Sequence, residues 1–260
     1  MVEEQIKINE TWSKSAKNYN DIIFDELHSF RVDEWKKQIF NNAPQGKPLK
    51  VLDCGCGPGF FSTIISEEGH EVYAIDGSDE MMKYARERAE KYNLDIKFQI
   101  MDCHELEYDD DMFDLVISRN VTHALRHHYI VYNQWKRVLK PNGILLIFDA
   151  NWHLTRPGGP FYEESKKRHI ECLEKYGDDF SGHRKKPDDI RKKTQSELEE
   201  ESMWNHILKD KFRPDWDVGL LEGIGFKEVT YERNIIEKLW DDKEKLIYGN
   251  TPMFMIKAIK

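Results

Sequence analysis

The chain has 260 residues, 39% of them hydrophobic, and a formal net charge of -9, enough for one domain with an elaboration and a full core. The acidic balance gives no overall attraction for nucleic acid, which is therefore not expected as a partner. No apolar run approaches the ~18 residues of a membrane span, no apolar signal region opens the chain, and four cysteines make no disulfide framework, so a cytoplasmic protein is expected.

Taken in chain order, residues 1–44 place Trp12, Tyr19, Ile22, Ile23, Leu27 and Trp35 among polar residues, the pattern of amphipathic helices. The segment Val51 to Phe60, VLDCGCGPGF, then runs from a short apolar strand through Asp53 into glycines at 55, 57 and 59. Such glycines accept the positive φ of a sharp strand-to-helix turn and let main-chain groups approach a ligand closely. A dinucleotide fingerprint would need a third glycine at position 60, where Phe60 stands. FFSTIIS has helical apolar spacing, and Val72 to Ile75 reads as a buried strand ending at Asp76. That carboxylate lies about 20 residues beyond the glycines, where a strand-end acid can accept both hydroxyls of a ribose.

Gly77 follows, and Ser78 is the expected N-cap of a helix carrying Met81, Met82, Tyr84, Ala85 and Ala89. A third strand ends at Met101-Asp102-Cys103, FDLVIS is a fourth, and ILLIFDA is a fifth, entered through the Pro-containing turn that ends RVLKPNG. Alternating strands and helices predict an α/β fold: a doubly wound, mostly parallel sheet covered on both faces. Ligands in such sheets sit outside the carboxyl ends of the strands. The glycine turn, Asp76, Asp102, Ser118 to Asn120 and Asp149 to Trp152 all fall at those ends.

As a set, these motifs resemble class I S-adenosylmethionine-dependent methyltransferases of the small-molecule type. The resemblance is close over residues 45 to 152 and looser over the last 45. It implies a seven-stranded Rossmann-like sheet, S-adenosylmethionine as methyl donor and S-adenosylhomocysteine as product. By resemblance, Asp53, Gly55, Gly57 and Gly59 wrap the methionine portion, with Cys56 a small loop residue among them. Asp76 takes the ribose, while Met101 and Asp102 meet the adenine. Gly77, Met81, Cys103, Ser118 and Arg119 complete the candidate cofactor set. Relatives often begin with a W…A…Y segment that closes over the cofactor, which makes Tyr19 either a lid residue or an aromatic packing anchor. Asn142 stands where many relatives have a second glycine, and Asn tolerates the same left-handed geometry.

Residues 1–44 are thus expected to form a helical lid, and residues 45–154 with 213–260 the cofactor-binding core. Residues 155–212, charged and divided by Gly177, Gly182 and Pro187, are read as a helical insertion with an apolar face at Trp204, Ile207 and Leu208. It would either overhang the acceptor side or serve dimerisation; monomer and homodimer both remain open. A final helix, strand, strand run, with the last strand antiparallel, closes the sheet.

Methyl transfer from a sulfonium needs an aligned nucleophile and excluded water, and a general base only for a protonated acceptor. Asn120, His123 and His153 are the catalytic candidates on the acceptor side, the histidines for their near-neutral titration. A histidine at such a position is more often a capping or hydrogen-bonded structural residue. His123 and His127 stand four apart, but no further ligands complete a metal set, so no metal is expected. Two other functions stay open: a non-catalytic cofactor-binding subunit and a nicotinamide-dependent oxidoreductase, the latter disfavoured by Phe60.

Overall fold

The computed structural model describes residues 3–46, 48–177, 208 and 211–260. Seven strands form one sheet: β1 (Lys50–Cys54), β2 (Glu71–Asp76), β3 (Ile96–Ile100), β4 (Phe113–Arg119), β5 (Leu139–Asp149), β6 (Lys227–Glu232) and β7 (Phe254–Ile259). Their spatial order is β3-β2-β1-β4-β5-β7-β6. The first five are parallel, and β7 runs antiparallel between β5 and β6.

Period-two alternation sends side chains of the central strands to two separate apolar layers. Val51, Leu115, Ile117, Leu146 and Phe148 enter one layer with Trp35, Phe60, Phe61 and Ile64. Leu52, Val116, Leu145 and Ile147 enter the other with Val131, Tyr132, Trp135 and Leu221. The helices supplying those layers are α2 (Arg31–Phe40) and α3 (Phe60–Glu67) on one face, and α5 (His128–Val138) and α7 (Asp215–Ile224) on the other. Since both faces of β1 and β4 are covered, their carboxyl ends are where the backbone leaves the core and can meet a ligand.

The glycine turn follows from its residue types. Gly55, Gly57 and Gly59 have φ of 71°, 54° and 88°, in the region where a side chain is strained. The turn is tied to the neighbouring strand by Gly55 N and Cys56 N, both donating to Ile75 O at 2.8 and 2.9 Å. Ser78 caps α4 (Asp79–Lys91) by accepting from Met81 N, as expected. Asn142, at φ 64°, takes the left-handed conformation. β5 begins earlier than the sequence suggested. Leu139 already pairs with Phe113, so the Pro-Asn-Gly turn lies within the strand as an irregularity of register.

The N-terminal stretch forms α1 (Glu3–Leu27), followed by α2. α1 lies against α4, with Ser13 Oγ 2.8 Å from Ser78 Oγ and Arg88 donating to Asn20 Oδ1 at 2.7 Å. Of the insertion, α6 (Tyr162–Tyr176) is helical and ends at Gly177 in the left-handed conformation. It packs on α8 (Asp242–Tyr248), a helix absent from the sequence reading although Asp241 and Glu244 form its capping box. Gly182, Pro187, Trp204 and Ile207 lie outside the described residues. Leu208 is buried against Ile8 and Ala124.

Candidate functional site

One cavity opens at the carboxyl ends of β1 to β4 beneath α1. Of the residues singled out from the sequence, Tyr19, Asp53, Gly55, Cys56, Gly57, Asp76, Gly77, Met81, Met101, Asp102, Cys103, Arg119 and Asn120 line it. Gly59, Ser118, His123 and His153 do not. Gly59 sits behind the turn, where a Cβ would press on Ala85 at 3.1 Å. Ser118 is a buried strand residue whose hydroxyl has no partner among the described residues.

The acids in the cavity differ in environment. Asp53 is 2% exposed and accepts from Ser62 Oγ at 2.5 Å. Burial pushes its carboxyl up to about 7, against the opposing pull of that hydrogen bond and of Arg119. Asp76 spans the turn and the next helix, with Oδ2 accepting from Gly57 N and Oδ1 from Ser78 N, each at 2.8 Å. Burial raises its carboxyl despite those amides. Asp102 accepts from the backbone and ring of His104. Burial opposes its ionisation, but His104 outweighs it and holds the carboxyl below its usual value.

α1 supplies the roof. Gln5, Ile8, Asn9, Trp12, Tyr19 and Ile23 face the cavity at helical spacing. The Tyr19 ring lies over Gly57, and a Cβ on Gly77 would stand 2.4 Å from the Asn9 side chain. The helix is fixed at its far end by Glu26, which accepts two hydrogen bonds from Arg119, at 2.8 and 2.7 Å, and one from Trp35 Nε1 at 2.8 Å. The Arg119 guanidinium is stacked on Phe60, 4.4 Å from its centroid. Burial disfavours that charge, and Glu26 more than compensates, so Arg119 stays a cation.

Behind the cavity lies a buried polar network that the sequence reading missed except for Asp149 and His123. Asp149 accepts from Thr122 Oγ1 (2.6 Å), His123 N (2.7 Å), His123 Nδ1 (3.0 Å) and Arg213 (3.0 Å). Arg213 also reaches Asp217 at 2.7 Å, and Tyr132 donates to Asp217 at 2.5 Å. Burial opposes ionisation of Asp149, but His123 and Arg213 hold it as a carboxylate well below the usual range. With that carboxylate as acceptor, His123 Nδ1 donates the hydrogen of this bond. Trp12 packs edge-on to the His123 ring at 6.2 Å.

His153 lies outside the cavity lining. Its Nε2 donates to Lys211 O at 2.9 Å, which leaves Nδ1 buried and without a partner among the described residues. Burial lowers its pKa to about 4, so it is neutral at physiological pH and tied to the chain that enters α7. His123 belongs to a short 3-10 turn and His127 precedes α5, so the two do not share a helical face.

Residues 45–211 match the methyltransferase domain family. The chain belongs to that family. It is 34% identical over 157 residues to the ubiquinone/menaquinone biosynthesis C-methyltransferase UbiE of Neisseria meningitidis, covering 55% of this chain and 59% of that one. It is 32% identical over 120 residues to phosphoethanolamine N-methyltransferase 1 of Arabidopsis thaliana, covering 46% and 24%. The chain thus spans less than two thirds of the length of these curated relatives. Among solved structures, a SAM-dependent methyltransferase from Aquifex aeolicus superposes with a TM-score of 0.56 at 21% identity, over 95% of this chain and 97% of that one. That likeness establishes the Rossmann-like methyltransferase fold.

Gln5, Asn9 and Trp12 were not singled out as site residues in the sequence. Their signal was present, since positions 5, 8, 12, 19 and 23 follow the helical period, but polar Gln5 and Asn9 do not register in an apolar pattern.

Proposed function

We propose that the chain transfers the methyl group of S-adenosylmethionine to a small-molecule acceptor and releases S-adenosylhomocysteine. The observation that carries this reading is the single cavity in which the glycine turn, Asp53, Asp76 and Asp102 converge beneath α1. The residues present fit the donor. Gln5 Oε1 and Asn120 Oδ1 are buried acceptors with no hydrogen-bond partner among the described residues, and both belong to lining residues. A ligand bearing hydroxyl and amino donors supplies what they lack.

Asp76 would accept the ribose hydroxyls, Asp102 the adenine amino group, and Asp53 the ammonium of the methionine end. Gly55 and Gly57 would admit the ligand against bare backbone, while Tyr19, Met81, Met101 and Cys103 pack around it. When bound, the donor offers an electrophilic methyl on a sulfonium, displaced in line. Asn120, at the end of β4, would orient the acceptor. His123, oriented by Asp149, is the base we assign where the acceptor carries a proton; the lack of contact with Lys211 distinguishes it from His153. α1 excludes water from the reacting atoms.

The curated relatives name two acceptor chemistries, phosphoethanolamine and a quinone precursor pathway. Arg119 is the one cation among the described lining residues, and Glu26 neutralises it. A phosphate-bearing acceptor would therefore need cations from outside the lining residues, which favours a neutral acceptor. A cytoplasmic location, no nucleic-acid partner and a monomer or homodimer complete the reading.

Calorimetry with S-adenosylhomocysteine and with NAD tests the cofactor. Binding of the first at micromolar levels and none of the second is expected; the reverse would sink the proposal. Incubation with labelled S-adenosylmethionine and a small-molecule extract, followed by mass spectrometry, identifies the acceptor. Binding without any labelled product would favour a non-catalytic subunit.

A further inference from the structure

His104 lies outside the residue set assigned above, yet it touches both the third strand end and the loop that faces it. Its Nδ1 is 2.6 Å from Asp102 Oδ1 and its Nε2 is 2.6 Å from the Arg126 carbonyl oxygen. Both partners are acceptors only, because a carboxylate and a carbonyl carry no hydrogen. A neutral imidazole has one N–H and can satisfy one of them. The imidazolium has two and satisfies both. The ring is therefore built into a position that its protonated form alone completes.

Its two partners belong to two different segments beside the cavity. Asp102 lines it beside Met101 and Cys103, and Arg126 follows Ala124 and Leu125, which line it from the β4–α5 connection. From these contacts we infer that His104 is a positioning residue: a protonated clamp that joins the two segments beside the adenine subsite and holds the Asp102 carboxylate in place for the ligand. The inference rests on the S-adenosylmethionine reading of that cavity. Loss of the proton breaks one of the two bonds, and either loss loosens Asp102 or frees the loop.

Among the described residues, the titratable groups facing the ring are Asp102, in contact, and His127, whose ring lies edge-on at 6.3 Å. Arg126 presents its backbone carbonyl. Burial opposes the imidazolium, but Asp102 and that carbonyl outweigh it and raise the His104 pKa, while Asp102 itself is held low. With the folded pKa raised, the clamp is complete at lower pH and is lost as pH rises through that value. Adenine-subsite affinity should follow the same direction. Asp53 imposes the opposite trend on ligands with an ammonium, since its ionisation near 7 favours them as pH rises. A probe without an amino-acid end separates the two.

The test is the affinity of methylthioadenosine, which has an adenine and ribose but no ammonium or carboxylate, measured by calorimetry from pH 6 to pH 9. The wild-type chain should bind it about tenfold more weakly at pH 9, the scale of one charge-assisted hydrogen bond. His104→Gln, whose remaining slope reports the cavity carboxyls Asp53 and Asp76 alone, should lose the weakening toward pH 9, whereas His127→Gln should keep the wild-type slope. Because a substituted chain can lose its fold, nuclear magnetic resonance of the wild-type imidazole provides a second readout. Ligand addition should raise the His104 pKa, with matching proton uptake. A flat wild-type profile, or a His104 pKa unmoved by ligand, would overturn the clamp. Failure of the wild-type chain to bind either methylthioadenosine or S-adenosylhomocysteine at pH 6 would instead overturn the cofactor reading.

Discussion

At the scale of single residues, Asp53 is a carboxyl that the fold keeps buried at a cost. Its folded pKa, about 7, lies above its unfolded value, so the unfolded chain loses its proton first as pH rises. Stability is therefore highest below about pH 4 with respect to this group, declines between there and about 7, and is level above. Asp53→Asn keeps an acceptor for Ser62 Oγ and removes the ionisation. The variant should be more stable than the parent by about 2 to 4 kcal/mol at pH 8, with the gain gone at pH 4. Chemical denaturation at the two pH values measures it, and an equal difference at both would refute the account. The same change should weaken S-adenosylhomocysteine binding. Asp76→Asn tests the ribose assignment. Affinity should fall about tenfold to a hundredfold, as for a lost hydrogen bond to a charged group, while the circular dichroism spectrum is kept. Unchanged affinity in a folded variant would remove Asp76 from the site.

At the scale of elements, the parts most legible in the sequence are those whose local chemistry permits one geometry. Three alternating glycines forced the turn after β1, Ser78 announced α4, and the apolar runs located β1, β2, β4 and most of β5. What stayed hidden depends on partners distant in sequence. Arg213 is readable as a surface arginine until the fold brings Asp149, 64 residues away, to its guanidinium. His104 gave no signal for the same reason, since the Arg126 carbonyl is 22 residues off. α1 was legible as a helix, but its role as a roof rests on the latch between Glu26 and Arg119 at 93 residues' separation. Glu26→Ala would leave Arg119 buried without its carboxylate, a change worth about 3 to 5 kcal/mol when one partner of a buried pair is removed. Hydrogen exchange should show α1 losing protection while α5 keeps it, with cofactor affinity falling alongside. Full protection of α1 in the variant would show that the helix is held by its apolar contacts alone.

At the scale of the whole molecule, the division of labour between core and insertion gives the widest prediction. Every described residue that lines the cavity lies between positions 5 and 125, so on the proposed reading the cofactor would be held by α1 and the first four strands. The insertion is anchored on both sides of residues 178–207. α6 sits on α8 through Arg168, which donates to Leu246 O at 3.0 Å, and Leu208 sits on Ile8 and Ala124. Replacing 178–207 by a short Gly/Ser linker should keep both anchors and leave S-adenosylhomocysteine affinity nearly unchanged. If that segment positions the acceptor, methyl transfer should fall by about two orders of magnitude or more through lost alignment and admitted water. If it serves dimerisation instead, the shortened chain should be a monomer that retains most of its turnover. Mass in solution and turnover measured on the same preparation separate the outcomes, and a shortened chain with both its parent's mass and its parent's turnover would exclude either role.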